Sequence, residues 1–140
     1  MSRIKVDLPK DFSFKTTIPI RIADVNYGGH VGNVTLLTLL HEARMQFLKH
    51  HGFSEMDFGG AGLIMSDVII EFKKEIFYGE EIKIFISASN FSKIGFDVLY
   101  LVVKSQQEIV VAKAKTGMVC YDYKLKKIVS IPETALQSFK

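Results

Sequence analysis

The sequence predicts an α+β domain in which one long apolar helix packs against one face of an antiparallel β-sheet. Three observations lead to this class. One helix-forming segment ends near Gly52 and carries a continuous apolar stripe. Four strand-like segments follow this helix, and only one precedes it. The breaks between the later strands are short, as in hairpins, which join antiparallel neighbours.

Length and composition favour a single globular domain spanning residues 1–140. Hydrophobic residues make up 48% and charged residues 24%, a composition that argues against intrinsic disorder. We expect no membrane insertion, because no run of about 18 apolar residues occurs. We expect no nucleic-acid partner, because the net charge of +3 comes from scattered residues. Cys120 is the single cysteine, which excludes an internal disulfide and fits a cytoplasmic location.

The chain before the helix predicts a leader, a strand and a polar loop. Residues 1–13 form the leader and lack the apolar core of a signal peptide. Residues 14–22 alternate loosely and predict a strand, in which Pro19 indicates a sheet edge or the beginning of the strand. The loop that follows is rich in glycine and polar residues, namely Asp24, Asn26, Gly28, Gly29, His30 and Gly32.

The helix is predicted to begin at Asn33, because a short polar side chain suits the N-cap position. The apolar stripe consists of Leu36, Leu40, Ala43 and Phe47 and is broadened by Leu37, Leu39 and Leu48. Few polar residues interrupt the first half, so we expect the helix to be buried on most sides. Gly52 is expected at the C′ position, where glycine adopts a positive φ without strain.

The second half of the chain predicts the sheet. The predicted strands cover residues 63–73, 81–90, 96–104 and 109–121. In the second of these strands Ile82, Ile84 and Ile86 alternate with other side chains, so this strand has one apolar face. Residues 125–131 predict a last short strand, and residues 133–140 predict a tail or a short helical turn after Pro132.

With its elements in this order, the chain resembles the hotdog-fold thioesterases over residues 14–131. In these proteins a curved antiparallel sheet wraps one long central helix. The matching residues are Arg21, Asp24, Gly29-His30-Val31, Asn33, Glu42-Ala43-Arg44 and Tyr78-Gly79-Glu80. Thioesterases of the 4-hydroxybenzoyl-CoA type carry a similar string, close to D-x-D-x-x-G-H-V-N-N followed by E-x-A-R.

The resemblance implies hydrolysis of an acyl-CoA or acyl-carrier-protein thioester. Coenzyme A then enters as part of the substrate, and no separate cofactor is expected. The resemblance also implies a homodimer or homotetramer, with an active site at each end of the interface between two joined sheets.

Two positions depart from the family pattern. Asn26 stands where the family usually has its catalytic carboxylate, and Gly32 stands where it has the first of two asparagines. An amide is neither a carboxylate base nor a nucleophile, but it orients water or donates to a carbonyl oxygen. The fold inference is unaffected, whereas the usual mechanism does not transfer.

Hydrolysis of a thioester needs an activated water or carboxylate and donors for the oxyanion. The backbone N–H groups of Val31, Gly32 and Asn33 are candidate donors, because they open the helix. An alternative is that the glycines only permit a tight loop. We expect no metal site, because His41, His50 and His51 lack ligand spacing with nearby acids.

Three residues compete for the acid–base role beside Asn26. Asp24 is the remaining carboxylate of the loop, and His30 belongs to a residue type that titrates near neutral pH. Glu42 lies within an otherwise apolar part of the helix, where a carboxylate must be paired or functional. Each residue also has a structural alternative, as a hydrogen-bond partner that braces the loop or the helix.

Two other functions remain open. Asp24, Asn26 and His30 resemble the D-x-N-P-x-H motif of hotdog enoyl-CoA hydratases, in which Asp and His activate water for addition to a double bond. This chain has one more residue before the histidine and no proline after the asparagine. A non-catalytic protein that binds acyl-CoA is the second alternative, because Asn26 replaces the usual carboxylate.

Overall fold

The computed structural model describes residues 3–140, so the first two residues of the predicted leader lie outside the described chain. Its elements are β1 (Phe14–Pro19), a 3-10 turn (Ile22–Asp24), α1 (Asn33–His50), β2 (Gly62–Phe72), β3 (Glu81–Ser89), β4 (Gly95–Lys104), β5 (Val110–Asp122), β6 (Lys127–Ile128) and α2 (Glu133–Ser138). The sheet has the order β1-β3-β4-β5-β2, with β6 paired to β5, and every pairing is antiparallel. The predicted α+β class is confirmed.

The core lies between α1 and the inner face of the sheet. Ile82, Ile84 and Ile86 of β3 are fully buried, which confirms the predicted alternation. Leu40 and Phe47 of α1 are also fully buried on the opposite side of this core. Each such side chain contributes roughly 1.5–3 kcal/mol through its burial. The apolar stripe of the helix therefore attaches α1 to the sheet.

Two strands are at least three residues shorter than predicted. The first ends at Pro19 instead of residue 22, because the next residues close a 3-10 turn. In that turn the Arg21 N–H donates to the Asp24 carboxylate at 2.9 Å, and the Asp24 N–H donates to the Arg21 carbonyl at 2.9 Å. The last strand covers only Lys127–Ile128, where it pairs with the end of β5. The short helix predicted as one alternative for residues 133–140 is present as α2.

The ends of α1 correct one prediction and confirm another. Gly32, and not Asn33, is the N-cap: its backbone is extended and its carbonyl accepts the first helical hydrogen bond, from the Leu36 N–H at 2.9 Å. Gly52 has a φ of 85°. The N–H groups of Gly52 and Phe53 donate to the carbonyls of Lys49 and Leu48, which is the Schellman arrangement.

The helix is buried on one face only, contrary to the expectation that it is enclosed on most sides. Val34 is 80% exposed, and Thr38, His41 and Glu42 continue this exposed face. The sheet of a single chain covers the inner face and leaves the other face open. Among the described residues, no helix is long and apolar enough to cross a membrane.

A cluster of aromatic side chains packs the end of the core near the C-terminus of α1. The rings in this cluster belong to Phe47, Phe53, Phe58, Phe91, Phe96 and Phe139. Phe139, directly after α2, also stacks on His51 with ring centroids 4.2 Å apart. The C-terminal segment thus closes this end of the fold.

One buried charge connects α1 to the sheet. Arg44 lies on the inner face of α1, and its Nε donates to the Glu55 carboxylate at 2.7 Å. Its guanidinium also donates to the Tyr100 hydroxyl at 3.0 Å. That hydroxyl lies 2.7 Å from the Thr116 hydroxyl on β5. Charged groups are rarely buried without partners, and here the partners come from the segment after α1 and from β4, while Tyr100 extends the network to β5.

A second buried charge attaches the leader to β2. The Glu71 carboxylate accepts hydrogen bonds from the Lys73 ammonium at 2.8 Å and from the Val6 N–H at 3.2 Å. Lys5 adds an ion pair at 3.7 Å. These interactions outweigh the opposing effect of burial and lower the pKa of Glu71 from 4.5 to about 2. The leader is therefore held by a carboxylate that stays ionised well below neutral pH.

Tyr100→Phe is expected to lower the free energy of unfolding by about 1–3 kcal/mol, because it leaves buried groups of Arg44 and Thr116 without a partner. Equilibrium unfolding in urea measures the change. Tyr78→Phe is the control, since that side chain is 61% exposed. Equal stability of the two variants would contradict a structural role for the buried hydroxyl.

The carboxylate of Glu71 is expected to make stability depend on pH in the acid range. Its pKa is depressed in the folded state, so its contribution is complete above about pH 4.5 and is lost as the pH falls towards 2. Melting temperatures of the wild type and Glu71→Gln should therefore converge between pH 4.5 and 2. Glu75→Gln, at an exposed position, controls for the loss of one negative charge. A constant difference between wild type and Glu71→Gln across this range would contradict the assignment.

Candidate active site at the start of the central helix

The loop before α1 is closed by its own backbone. The Asn26 N–H donates to the His30 carbonyl at 2.9 Å, and the Gly29 N–H donates to the Asn26 carbonyl at 3.0 Å. Gly29 has a φ of 81°, a conformation that favours glycine. His30 also forms an isolated bridge with Phe77, which holds the loop against the segment before β3. The glycines thus do permit a tight loop.

The Asn26 side chain is held in one orientation. Its Oδ1 accepts the N–H of Gly28 at 2.9 Å and the N–H of His30 at 3.4 Å. Because both partners are donors, this atom is the amide oxygen and Nδ2 is the amide nitrogen. A Cβ added to Gly32 would lie 3.4 Å from Nδ2, so the amide nitrogen lies beside the N-cap of α1. Asn26 therefore presents a donor near the start of the helix.

The ring of His30 lies over the same loop. Its Nδ1 is 3.2 Å from the Val31 carbonyl, which can only accept, so in the neutral ring Nδ1 carries the proton and Nε2 keeps its lone pair. A Cβ added to Gly28 would lie 3.2 Å from Nε2, so the ring depends on the absence of a side chain there. The neutral His30 ring therefore offers a proton acceptor at Nε2.

The oxyanion donors predicted at the start of α1 are corrected at one position. The Val31 N–H donates to the Ile76 carbonyl at 2.8 Å and is not available to a ligand. Within the described chain, the N–H groups of Gly32 and Asn33 have no acceptor, and no side chain caps the helix. These two N–H groups lie at the positive end of the helix dipole and point out of the helix.

A cavity of about 220 Å³ brings the base and the helix start together. His30, Val31 and Asn33 form one side of this cavity. The chain that follows the end of β2, from Phe72 to Glu75, forms the other side. The cavity thus combines His30, the start of α1 at Asn33 and the charged residues Lys73, Lys74 and Glu75.

The Asp24 carboxylate is bound by the backbone N–H and the guanidinium of Arg21. This buried carboxylate accepts the Arg21 N–H and lies 3.3 Å from the Arg21 guanidinium. Burial alone would raise the pKa of Asp24, but the hydrogen bonds and the charge of Arg21 hold that pKa below the ordinary value. A carboxylate in this state is a weak base. The geometry favours a structural role for Asp24. It gives no support to a hydratase mechanism in which Asp24 and His30 act jointly.

Glu42 lies far from the loop of the same chain. It is exposed, and its carboxylate accepts a hydrogen bond from the Gln46 amide at 2.7 Å. It stands nine positions after Asn33 in α1, which corresponds to about 13 Å along the helix axis. Within one chain, the structure therefore does not bring Glu42 together with His30.

The sequence interpretation missed a pair formed by His41 and Glu55. His41 Nε2 lies 2.8 Å from the Glu55 carboxylate, although 14 positions separate the two residues. In the sequence, no acidic residue lies at metal-ligand spacing from the histidines. The contact joins α1 to the loop before β2, and hydrophobic periodicity does not indicate contacts between such distant positions. Among the described residues, no group of three potential ligands is close enough to hold a metal ion.

The thiol of Cys120 does not take part in the candidate site. The residue is fully buried on β5, and its burial raises the pKa of the thiol to about 11. A thiol that stays protonated is a poor nucleophile. Its role as a small core residue, rather than as a nucleophile, agrees with this environment.

Known proteins resemble the chain in sequence and in fold. Residues 20–139 match the family model of the thioesterase-like superfamily. A 1,4-dihydroxy-2-naphthoyl-CoA hydrolase of Microcystis aeruginosa is 31% identical over 118 residues, which cover 82% of this chain and 84% of the relative.

Two solved structures superimpose closely on this fold. A 1,4-dihydroxy-2-naphthoyl-CoA thioesterase from Synechocystis has a TM-score of 0.82 and 20% identity, covering 90% of this chain and 94% of its own. A hypothetical protein from Aquifex aeolicus has a TM-score of 0.82 and 28% identity, covering 91% and 99%. The predicted hotdog fold is confirmed.

Proposed function

The chain belongs to the thioesterase-like superfamily, and we propose that the cavity at the start of α1 hydrolyses an acyl-CoA thioester by direct attack of water. The observation that carries this proposal is that His30 and Asn33, whose N–H is free at the helix start, line one cavity, with the free N–H of Gly32 directly before Asn33. A base and oxyanion donors are the two elements that acyl transfer to water requires.

The thioester carbonyl oxygen binds at the N–H groups of Gly32 and Asn33, where the helix dipole stabilises negative charge. The Asn26 amide adds a third donor on the same side. His30 Nε2 accepts a proton from water as the water oxygen forms a bond to the carbonyl carbon. The tetrahedral oxyanion then collapses and the carbon–sulfur bond breaks. The thiolate takes the proton from His30, and the products are the free acid and CoA.

The substrate is proposed to be a CoA ester. Lys73 and Lys74 line the cavity, and Lys74 is exposed with no ion pair in the described chain. Lys73 is paired with Glu71, so Lys74 is the cationic side chain available at this cavity, and a positive charge there favours a phosphorylated ligand such as CoA. The relative from Microcystis aeruginosa carries the name of a hydrolase of a CoA ester, which supports the same class.

We also propose a homodimer formed through β2, or a tetramer of two such dimers. β2 has 11 residues, pairs only with β5 and leaves its other edge open. Exposed strand edges are usually covered or paired. Met65, Val68 and Phe72 of this strand are 37–45% exposed, so apolar area lies beside the open edge. A second copy of β2, related by a two-fold axis, pairs with this edge and covers that area.

His30→Gln is expected to lower kcat for acyl-CoA hydrolysis at least tenfold, because it removes the proton acceptor while keeping a polar side chain. Release of free thiol from a series of acyl-CoA esters measures the rate. His50→Gln is the matched control, because His50 is exposed and lies at the opposite end of α1.

Asn26→Asp separates this mechanism from one that uses a carboxylate. It replaces a donor by an acceptor beside the oxyanion, so we expect the rate of thiol release to fall. A rise in rate with Asn26→Asp, together with an active His30→Gln variant, would show that a carboxylate at position 26 supplies the chemistry and would overturn the proposed base.

Val68→Asp is expected to shift the protein from dimer towards monomer, because it places a charge in the apolar area beside the open edge. Light scattering at micromolar concentration measures the mass. Leu125→Asp is the control, since Leu125 is 63% exposed in the turn before β6. A wild-type protein that is monomeric under these conditions contradicts the dimer.

A further inference from the structure

The cavity at the start of α1 includes a carboxylate that the fold does not use. Among the described residues that line this cavity, Glu75 is the only one that carries a carboxylate. Glu75 is exposed, and its side chain has no hydrogen bond or ion pair within residues 3–140. A carboxylate without a structural partner, next to a base, is a candidate for acid–base chemistry.

The backbone places Glu75 next to the loop that carries His30. His30 forms an antiparallel bridge with Phe77. The adjacent Val31 N–H donates to the Ile76 carbonyl at 2.8 Å, so the two segments stay paired for a second step. Ile76 is buried in the core, whereas Phe77 is 43% exposed, so the side chains of this segment alternate between core and solvent. Directly opposed residues share a face, which puts Glu75 on the same side as Phe77 and His30.

Gly32 leaves open space opposite Glu75. A third step of the same register pairs these two positions, because the segments run antiparallel. Apart from its chain neighbours, a Cβ built on Gly32 would meet only the Asn26 Nδ2 within 4 Å, at a distance of 3.4 Å. A water takes up about 30 Å³ of liquid volume, so a cavity of about 220 Å³ has room for a water beside the thioester group.

We propose that Glu75 is a second catalytic residue of this site, whose carboxylate accepts a hydrogen bond from the water that attacks the thioester. The inference rests on the thioester hydrolysis proposed for the same cavity. It supplies a carboxylate from the segment after β2 to a site in which position 26 is an amide.

His30 and Glu75 act on different hydrogens of one water. His30 Nε2 takes one proton as the water oxygen bonds to the carbonyl carbon, while the Glu75 carboxylate accepts a hydrogen bond from the other hydrogen. The negative charge of Glu75 also stabilises the imidazolium that forms at His30. When the carbon–sulfur bond breaks, the proton on His30 passes to the thiolate. The second hydrogen leaves with the acid product, so Glu75 is ionised at the beginning and at the end of the cycle.

An electrostatic alternative predicts a different kinetic result. Glu75 is adjacent to Lys74, so its charge would weaken the attraction of this end of the cavity for the phosphates of CoA. In that case removal of the charge lowers KM and leaves kcat unchanged. A group that acts on the attacking water changes kcat, and it does so whether or not the substrate carries phosphates.

Glu75→Gln tests the proposal, because it keeps the size of the side chain and removes its charge. An amide oxygen is a weaker acceptor than a carboxylate and does not stabilise the imidazolium. We expect kcat for the acyl-CoA ester that the wild type hydrolyses fastest to fall about tenfold, with little change in KM. For the N-acetylcysteamine thioester of the same acid, which lacks the phosphates, kcat/KM should fall by the same factor. Thiol release measures both.

Glu81→Gln is the matched control for the loss of one negative charge. Glu81 is an exposed glutamate at the start of β3 and does not line this cavity. We expect this variant to keep the wild-type kcat. Melting temperatures of both variants show whether each is folded.

The double variant His30→Gln/Glu75→Gln tests whether the two residues act on the same water. Groups that act as a unit give losses that do not multiply. The double variant should therefore lose about as much in kcat as the more damaging single variant, and not the product of the two losses.

The outcomes separate this inference from the proposed function. If the wild type releases thiol and Glu75→Gln keeps the wild-type kcat, Glu75 does not act on the water and the inference is overturned, while the proposed hydrolysis stands. Losses that multiply in the double variant also overturn it, because the two groups then act independently. If the wild type releases no thiol from any acyl-CoA, the proposed hydrolysis fails and the inference fails with it. A fall with both substrates, an unchanged Glu81→Gln and losses that do not multiply support the inference.

Discussion

The position of the central helix depends on a guanidinium held inside the fold. Arg44 is 5% exposed, and its partners come from the segment after α1 and from β4, with β5 added through the Tyr100 hydroxyl. A buried charge that loses its partner costs about 3–5 kcal/mol. The helix is therefore stable only where Arg44 reaches Glu55 and Tyr100 together. The bond from the Val31 N–H to the Ile76 carbonyl holds the other end of the helix, where the candidate site lies.

The chemistry at the helix start is divided between backbone and side chains. The bond from the Val31 N–H to Ile76 attaches the loop to the segment before β3, so the free donors lie one residue further on, at Gly32 and Asn33. Asn26 uses its oxygen to close the loop and turns its nitrogen towards the helix. The family carboxylate is thus replaced by a donor, and in the proposed mechanism His30 transfers the proton. The reaction class is retained while the group that activates water changes.

The candidate site lies beside the strand edge of the proposed dimer contact, because Phe72 of β2 lines its cavity. Met65, Val68 and Phe72 lie on the inner face of β2, the strand whose outer edge is open, so a partner in the proposed dimer would also cover these side chains. Enclosure removes water from around the thioester and strengthens the interactions of the helix dipole. In the proposed dimer, one contact would both pair the strand edges and cover the apolar side chains that a single chain leaves partly exposed.

Local patterns of the sequence determined most of the fold and half of the site. The alternation of Ile82, Ile84 and Ile86, the stripe of α1 and the glycine at position 52 depend on neighbours a few positions away, and the structure contains each feature as predicted. The loop with His30 was also visible, because its residues are contiguous. Tertiary structure alone decided that the Val31 N–H is occupied by the Ile76 carbonyl and that Glu55 contacts His41. The physical reason is that hydrogen bonds between distant segments depend on how α1 sits on the sheet, and no periodicity along the chain records that placement.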